Sequence, residues 1–449
     1  MDTLGDKWPR STRKAVRPLE VIIVGAGIGG LTAGISLSQS GHSVMILERV
    51  DKIDEIGAGI QLAPNASRIL NRLGVLEEVM DYATVLERVS IRRYCSDDEL
   101  STVPLMPSTG LRYGAPSSVI HRGDLQTVLL RAATNAGCQI LTSQTVIAVD
   151  PEFAATVQAR NSKTGDLAWF HGDLLIAADG IKSCIRQQMA ISDGFYDEPV
   201  CTGNAAYRLL VPIDKVEHDP MLSGMLGENV AMRYMGPGGH VMAYPLQNNT
   251  AYNLVLVHPA KAGNKADGWT TRGDRQEMLD FYQNWSPAIR KWLELADQDV
   301  MEWNLYSYRP IPRWSKGSTA LIGDSCHPML PFVAQGAANA IEDAAVLATA
   351  LTCTADIKLA LMMYEVIRKD RGEQIAASAS KTAHTLHLPD GPEQRDRDEA
   401  MVNSTHNPDR WSNIQWQDYM YGVDVMKDTL NLWRAMSERT MTRGRQVNL

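Results

Sequence analysis

The chain reads as an α/β protein. It has a discontinuous, Rossmann-like dinucleotide-binding domain, a mixed β-sheet domain inserted into it, and a helical C-terminal region. Three observations predict this. The segment VIIVGAGIGGLTAGISL, from Val21, joins a short apolar run to a glycine-rich turn and a helix-like stretch. Residues 201–260 alternate apolar and polar positions between Gly, Pro and Asn turns. A second strand–turn–helix signal, ALIGDSCHPMLPFVAQGAANAIEDAAVL, begins almost three hundred residues later at Ala320.

Val21 to Val24 suit a buried parallel strand. Gly25, Gly27 and Gly30 follow at the spacing G-x-G-x-x-G. Gly25 permits the tight turn, Gly27 lets the backbone approach a pyrophosphate, and Gly30 lets the helix pack on the strand. The helix start then presents unpaired N–H groups to phosphates. Gly41 ends that helix, and Ser43 to Leu47 read as the second strand. Glu48 closes it at the distance expected of a carboxylate that accepts from a free ribose 2'-OH and repels a 2'-phosphate. That favours the adenosine of FAD or NAD and leaves the two open.

The loop EIGAGIQ, Glu55 to Gln61, includes Gly59 and reads as backbone that approaches something closely. Asn65 is expected to cap a helix from Ala66 to Leu73. Val85 to Tyr94 reads as a strand, and a helix is expected from Leu125 to Ala136. A ribbon of three strands spans 140–171, and DLLIAAD is a buried strand ending in Asp179-Gly180. In the inserted sheet, AAYRLLVP, NVAMRYM, GHVMAYPL and AYNLVLVH read as strands. Helices follow from Arg275 and Ala288, then the strand Thr319 to Ile322 and the helix Gly336 to Leu351. The rest is helical, broken by the polar loop LHLPDGPEQRDRDEAM. The expected boundaries are a disordered tail at 1–18; a dinucleotide domain from 19–84, 106–186 and 301–354; an inserted domain from 85–105 and 187–300; and a helical region at 355–449.

The 449 residues and 44% hydrophobic content suffice for two cores. A net charge of -8 argues against a nucleic-acid surface. No apolar run reaches 18 residues, so no membrane span is expected. The N-terminus lacks the apolar stretch of a secretion signal, and a cytoplasmic enzyme, monomer or homodimer, is expected. Six scattered cysteines without C-x-x-C pairs read as small buried hydrophobes. Neither a metal-ligand motif nor an acyl-transfer triad stands out, so no metal is expected.

With GAGIGG and Glu48, AADGIKSCIR (Asp179, Gly180, Arg186), HRGDL (Arg122) and GDSCHPMLPFVAQGAANAIEDA (Gly323, Asp324, Pro331, Gly336) in view, the chain resembles the single-component FAD-dependent aromatic hydroxylases of the p-hydroxybenzoate hydroxylase fold. Within that group it is similar to the salicylate hydroxylase-like enzymes of fungi. The resemblance covers roughly Leu19 to Trp433. It implies FAD as cofactor, NADH or NADPH as reductant, O2 as co-substrate and a small phenolic or other electron-rich aromatic substrate. A non-oxygenating flavin dehydrogenase and an indole or alkene epoxidase are the competing readings.

The resemblance implies that FAD lies against Gly25, Gly27, Gly30, Glu48, Arg49 and Gly59. Arg122 is implied on the pyrophosphate or ribityl side, and Asp179 and Arg186 in a motif serving both FAD and the nicotinamide. Asp324, after Gly323, would accept from a hydroxyl of the cofactor. Gly336 and Ala337 begin a helix whose positive end would face negative charge on the flavin. Ser325 and Cys326 replace the family's usual Ala-Ala and would add a hydroxyl and a thiol near the ring. On the substrate side, Arg208 stands inside an apolar strand, where a cation needs a partner or an anionic ligand. His240 and Tyr244, four apart, share one face of a strand and are candidates to polarise or deprotonate a substrate hydroxyl, a task suited to a near-neutral pKa. Arg233 and Tyr234 are weaker candidates. Trp411, Trp416 and Trp433 read as staples for the C-terminal helices.

Overall fold

The computed structural model describes residues 13–53, 58–225, 228–261, 269–403 and 407–446. The beginning of the expected tail and Glu55 to Gly57 of the glycine loop lie outside the described residues.

The apolar runs become the centre of a six-stranded sheet in the order Ser315–Lys316, Thr319–Leu321, Leu174–Ala177, Glu20–Val24, Ser43–Leu47 and Gln139–Leu141. Its ladders are parallel except for the pair at the first edge. Strands buried on both faces need apolar side chains throughout, and Val21 to Val24 and Leu174 to Ala177 supply them. The helices Ile28–Ser40 and Gly336–Leu351 cover one another and this sheet through Leu31, Ile35, Ile341 and Ala345. Gly29 lets them touch: a Cβ there would stand 3.1 Å from that of Ala340.

The inserted sheet has eight strands, ordered Thr270–Arg272, Met301–Ser307, Val200–Pro212, Ala251–Pro259, Gly239–Leu246, Val230–Gly236, Arg88–Arg93 and Glu99–Pro104. Alternation decides its two faces. Tyr207, Leu209, Leu254, Leu256, Val241 and Ala243 point to one side, where Trp285 and Trp292 of the covering helical segment complete a core. Arg208, Val255, Met242 and Arg233 point to the other side, toward the dinucleotide half.

Several expectations need correction. Met301–Ser307, assigned by sequence to the dinucleotide domain, pairs antiparallel with Val200–Pro212 in the inserted sheet. Residues 13–18 are tied down by Arg13 on Thr352, Ala15 N–H on the Ser40 carbonyl and Arg17 on Asp173. Asn65 caps nothing. The helix Pro64–Arg72 starts with proline, and the Asn65 amide donates instead to Gln335 (3.1 Å) and Glu342 (2.8 Å). The supposed polar loop contains a helix, Pro392–Val402. Proline at its first turn favours it, and its buried charges are paired: Arg397 and Arg93 both donate to Asp398. Of the cysteines, all free, Cys95 and Cys201 are exposed. Among the described residues no helix is long and apolar enough to cross a membrane.

Candidate active site

One cleft lies between the two sheets, lined by residues from both halves of the molecule. Its first wall is the glycine turn. Gly25 has φ +102°, and a Cβ there would meet the Ala178 carbonyl. A Cβ on Gly30 would collide with the Gly25 carbonyl, so that glycine sets the contact of helix and strand. Gly27 differs: no atom lies within 4 Å of its Cβ position, and it lines the cleft. Glu48 accepts from Ala26 N–H (2.7 Å) and Val50 N–H (3.0 Å), which fixes its carboxylate beside the turn. Arg49 is exposed, near Lys182, and is not brought into the cleft lining.

Ala178 and Gly180 line the cleft. Between them, Asp179 accepts from Cys184 N–H at 3.1 Å while its other oxygen is buried without a hydrogen-bond partner. Burial pushes its pKa up to about 6. Arg186, grouped with it by motif, is engaged elsewhere. It pairs with Asp197, donates to the carbonyls of Cys326 and Arg309, and covers Tyr308. Its part is to hold the chain together beneath the site. Arg122, ahead of the helix expected from Leu125, opens the helix Arg122–Asn135 and lines the cleft.

Gly323, Asp324, Gly336 and Ala337 form the far wall. Asp324 is exposed and lines the cleft, and desolvation by the surrounding atoms raises its pKa against the opposing pull of His327 and Arg122. The turn before it is held from behind. Asp343 accepts from Gly323 N–H (2.8 Å), His327 Nε2 (2.6 Å) and Arg368 Nε (2.8 Å). Glu342 accepts from Arg371 and Asn65 and pairs with Arg368. Burial alone would raise both carboxylates. Arg371 and Arg368 overcome it at Glu342, and His327 and Arg368 overcome it at Asp343, and each is held at about 2. Ser325 and Cys326 face this core, not the cleft: Ser325 Oγ lies 2.7 Å from the Ala177 carbonyl, and Cys326 Sγ 3.3 Å from that of Gly323. Their contribution is to the turn.

The floor of the cleft comes from the inserted sheet. Arg208 lies near Tyr244 and Arg122, its guanidinium 5.6 Å from the Trp303 ring centroid. Its Nε has no partner, and no carboxylate among the described residues pairs with it. Burial, reinforced by Arg122, lowers its pKa. Tyr244 is buried, which pushes its phenol upward and keeps it protonated. Gly59 fits against this ring: a Cβ there would stand 2.5 Å from Tyr244 Cε2, and Gly59 N–H donates to Asn253 Oδ1 at 2.9 Å. His240 Nδ1 shares a 2.7 Å hydrogen bond with His387 Nε2. Burial, His387 and Arg233 hold His240 well below the usual histidine range, so the near-neutral pKa expected for it is not met.

The cleft thus gathers Gly27, Gly59, Arg122, Arg208, His240, Tyr244, Gly323, Asp324, Gly336 and Ala337, and leaves Gly25, Gly30, Glu48, Arg49, Asp179 and Arg186 outside its lining. Sequence reasoning gave too little weight to Arg233, Trp411 and Gln335, all of which line it. Arg233 is 2% exposed, paired with Asp409 and stacked under Trp411. Trp411 does staple the C-terminal region, packing in one core with Met420, Tyr421, Leu86 and Val89, and it lines the cleft as well. The available signal for Arg233 was an arginine at alternate spacing within an apolar strand, as for Arg208. Ten tryptophans also allowed a tryptophan-lined entrance for an aromatic substrate, and Trp411 lies in the lining; nothing in the sequence pointed to Gln335, whose amide nitrogen is buried without a partner.

These features fit a flavin dinucleotide. The open face of Gly27 and the start of the helix Ile28–Ser40 suit a pyrophosphate. Carboxylates at Asp179 and Asp324 have accepting capacity for hydroxyls, and the helix start at Gly336 suits a carbonyl gaining negative charge. The family model described as "FAD binding domain" matches residues 18–379. The chain is 39% identical over 386 residues to the FAD-dependent monooxygenase atnJ of Arthrinium sp, covering 85% of this chain and 88% of that one. It is 31% identical to the 3-hydroxybenzoate 6-hydroxylase of Klebsiella oxytoca, covering 90% and 96%. Klebsiella pneumoniae HpxO, solved with FAD and uric acid, superimposes with a TM-score of 0.75 at 26% identity, covering 90% and 97%. Sequence, fold and cleft agree: the chain belongs to the FAD-binding-domain family and is an FAD-dependent monooxygenase of the aromatic hydroxylase group.

Proposed function

We propose that the protein uses NADH or NADPH and O2 to hydroxylate a small phenolic or other electron-rich aromatic substrate bound on the inserted sheet, with Arg208 holding its oxyanion. One observation carries this reading: Arg208 is a cation in a largely apolar floor with no carboxylate partner among the described residues. A guanidinium so placed is stabilised by an anionic ligand. The likeness to a 3-hydroxybenzoate 6-hydroxylase supports an aromatic substrate, and the same reading gives the enzyme a place in fungal secondary metabolism or salicylate-type catabolism.

FAD, when bound, supplies the electron transfer and oxygen activation. The chain's own residues do the rest. Arg208 favours the ionised, more electron-rich form of a phenol. Tyr244, protonated at neutral pH, donates a hydrogen bond to the same oxygen. His240, neutral, offers one hydrogen-bonding nitrogen on the Arg233 side of the cleft. Val255 and Met242 form an apolar bed that orients the ring and excludes water. Gln335 and the helix start at Gly336 set the cofactor side. The localisation read from sequence is cytoplasmic.

The test is NADH and NADPH oxidation with O2 uptake by the purified flavoprotein, over a panel of phenols, hydroxybenzoates, indoles and alkenes, with product masses. Stimulation by phenols and addition of one oxygen atom to the ring are expected. Oxygenation confined to indoles or alkenes makes the enzyme an epoxidase and overturns the reading. NAD(P)H oxidation indifferent to every aromatic compound overturns it too.

A further inference from the structure

The strand register puts a second arginine on the same floor. Arg208 pairs with Val255, Val255 with Met242, and Met242 with Arg233. One row therefore crosses four strands with an arginine at each end and two apolar side chains between them. At a strand spacing of about 4.8 Å, the two arginine backbones stand roughly 14 Å apart. All four residues line the cleft.

The second arginine is mounted differently from the first. Its NH1 donates to Asp409 Oδ1 at 3.2 Å, and its NH2 lies 3.4 Å from the Phe332 carbonyl. Trp411 covers its face at 3.7 Å from the ring centroid. Asp409 Oδ1 also accepts from Trp411 N–H, and Asp409 Oδ2 is buried without a partner. Elsewhere the chain forms forked arginine–carboxylate pairs with both contacts at 2.7 Å, at Arg72–Asp424 and Arg112–Asp418. Fully buried Arg368, by contrast, spreads its donors over Glu342, Asp343 and Asn339. Here a single contact fixes the guanidinium from one side and leaves donor capacity on a residue that lines the cleft.

We propose that Arg233 is a specificity-determining residue. Held by Asp409 and Trp411, it binds a carboxylate on the aromatic ring whose oxyanion is held by Arg208. This rests on the reading of the cleft as the aromatic-substrate site. It selects hydroxylated aromatic acids over the same rings without the acid.

The test titrates FAD-loaded enzyme with 3-hydroxybenzoate and with 3-hydroxybenzamide, reading the change in flavin absorbance. Wild type is expected to bind the acid at least ~10-fold tighter than the amide, the scale of one charge-assisted contact. Removing the arginine alone strands a buried carboxylate, so Arg233→Met is combined with Asp409→Asn. This variant is expected to retain FAD, lose the acid-over-amide preference and leave amide affinity within about threefold. If it fails to retain FAD, Asp409→Asn alone is read instead. That change removes the carboxylate competing for the guanidinium and is expected to widen the acid-over-amide preference at least about threefold. An acid preference that persists in the double variant, is unmoved by Asp409→Asn, or is missing in wild type while phenols still bind and turn over, overturns the role of Arg233 alone. If no phenol, acid or amide perturbs the flavin or stimulates NAD(P)H oxidation, the functional reading falls with it.

Discussion

Replacing Arg208 by Met separates a residue kept for its ligand from one kept for the fold. Arg208 makes no ion pair among the described residues, its Nε has no partner, and its packing is against Trp303 at 5.6 Å. Loss of that cation–π contact costs about 0.5–1 kcal/mol. Relief of an uncompensated charge beside Arg122 offsets it, since apolar replacement of buried charge is often neutral or stabilising. The melting temperature of Arg208→Met is therefore expected within about 2 °C of wild type, the scale of a shift below 1 kcal/mol in a chain this large. Activity moves the other way. A charge-assisted hydrogen bond to an oxyanion contributes about 1.5–3 kcal/mol, so kcat/KM for a phenolic substrate is expected to fall roughly 10- to 150-fold. The assays are differential scanning fluorimetry of the FAD-loaded protein and substrate-stimulated NAD(P)H oxidation. Unchanged kcat/KM with a fall in melting temperature of more than about 5 °C would refute the reasoning, because it would show that Arg208 serves the fold.

Arg368→Met strands Glu342 and Asp343 without a shared cation at a site with no solvent access, and a loss of about 3–5 kcal/mol is expected by denaturant unfolding. Glu342 and Asp343 are both held at about 2, below their ordinary values of 4.5 and 3.8. Their contribution to stability is complete above those ordinary values and is lost as pH falls from about 4.5 toward 2, and a melting temperature that stays flat across that window would contradict the assignment. Gly59→Ala places a methyl 2.5 Å from the Tyr244 ring, so overpacking of about 1–3 kcal/mol is expected. Weakened FAD retention, measured by equilibrium dialysis, should accompany it, and the double change Gly59→Ala with Tyr244→Phe should recover little, because the ring edge clashes as well as the hydroxyl.

The dinucleotide half was legible because local backbone geometry demands particular residues. Gly25 needs a positive φ, Gly30 needs closeness to a carbonyl, and a helix from Gly336 to Leu351 follows from an apolar, alanine-rich run. Arg208 was legible because a charge in an apolar strand calls for an explanation. The rest depends on contacts that no local pattern encodes. Arg233 finds Asp409 176 positions away, and His240 finds His387 across 147. The helix Pro392–Val402 looks polar in sequence because its buried positions are paired charges. Arg186 followed its motif in sequence and departed from it in space, since Asp197 lies within reach on the same stretch of chain.

The fit of Gly59 against Tyr244 has a bearing on how this enzyme can diverge. The loop that walls the cofactor side and the strand that carries the substrate meet there without room for a methyl group. A change at 244 to a smaller side chain opens space toward the cofactor loop and tolerates a new residue at 59. A larger one has nowhere to go unless the loop moves first. Substrate range at this position can therefore widen by loss of volume in a single step, while any gain of volume requires two changes in a fixed order. Positions 59 and 244 should behave as one unit of inheritance, although they lie far apart in the chain.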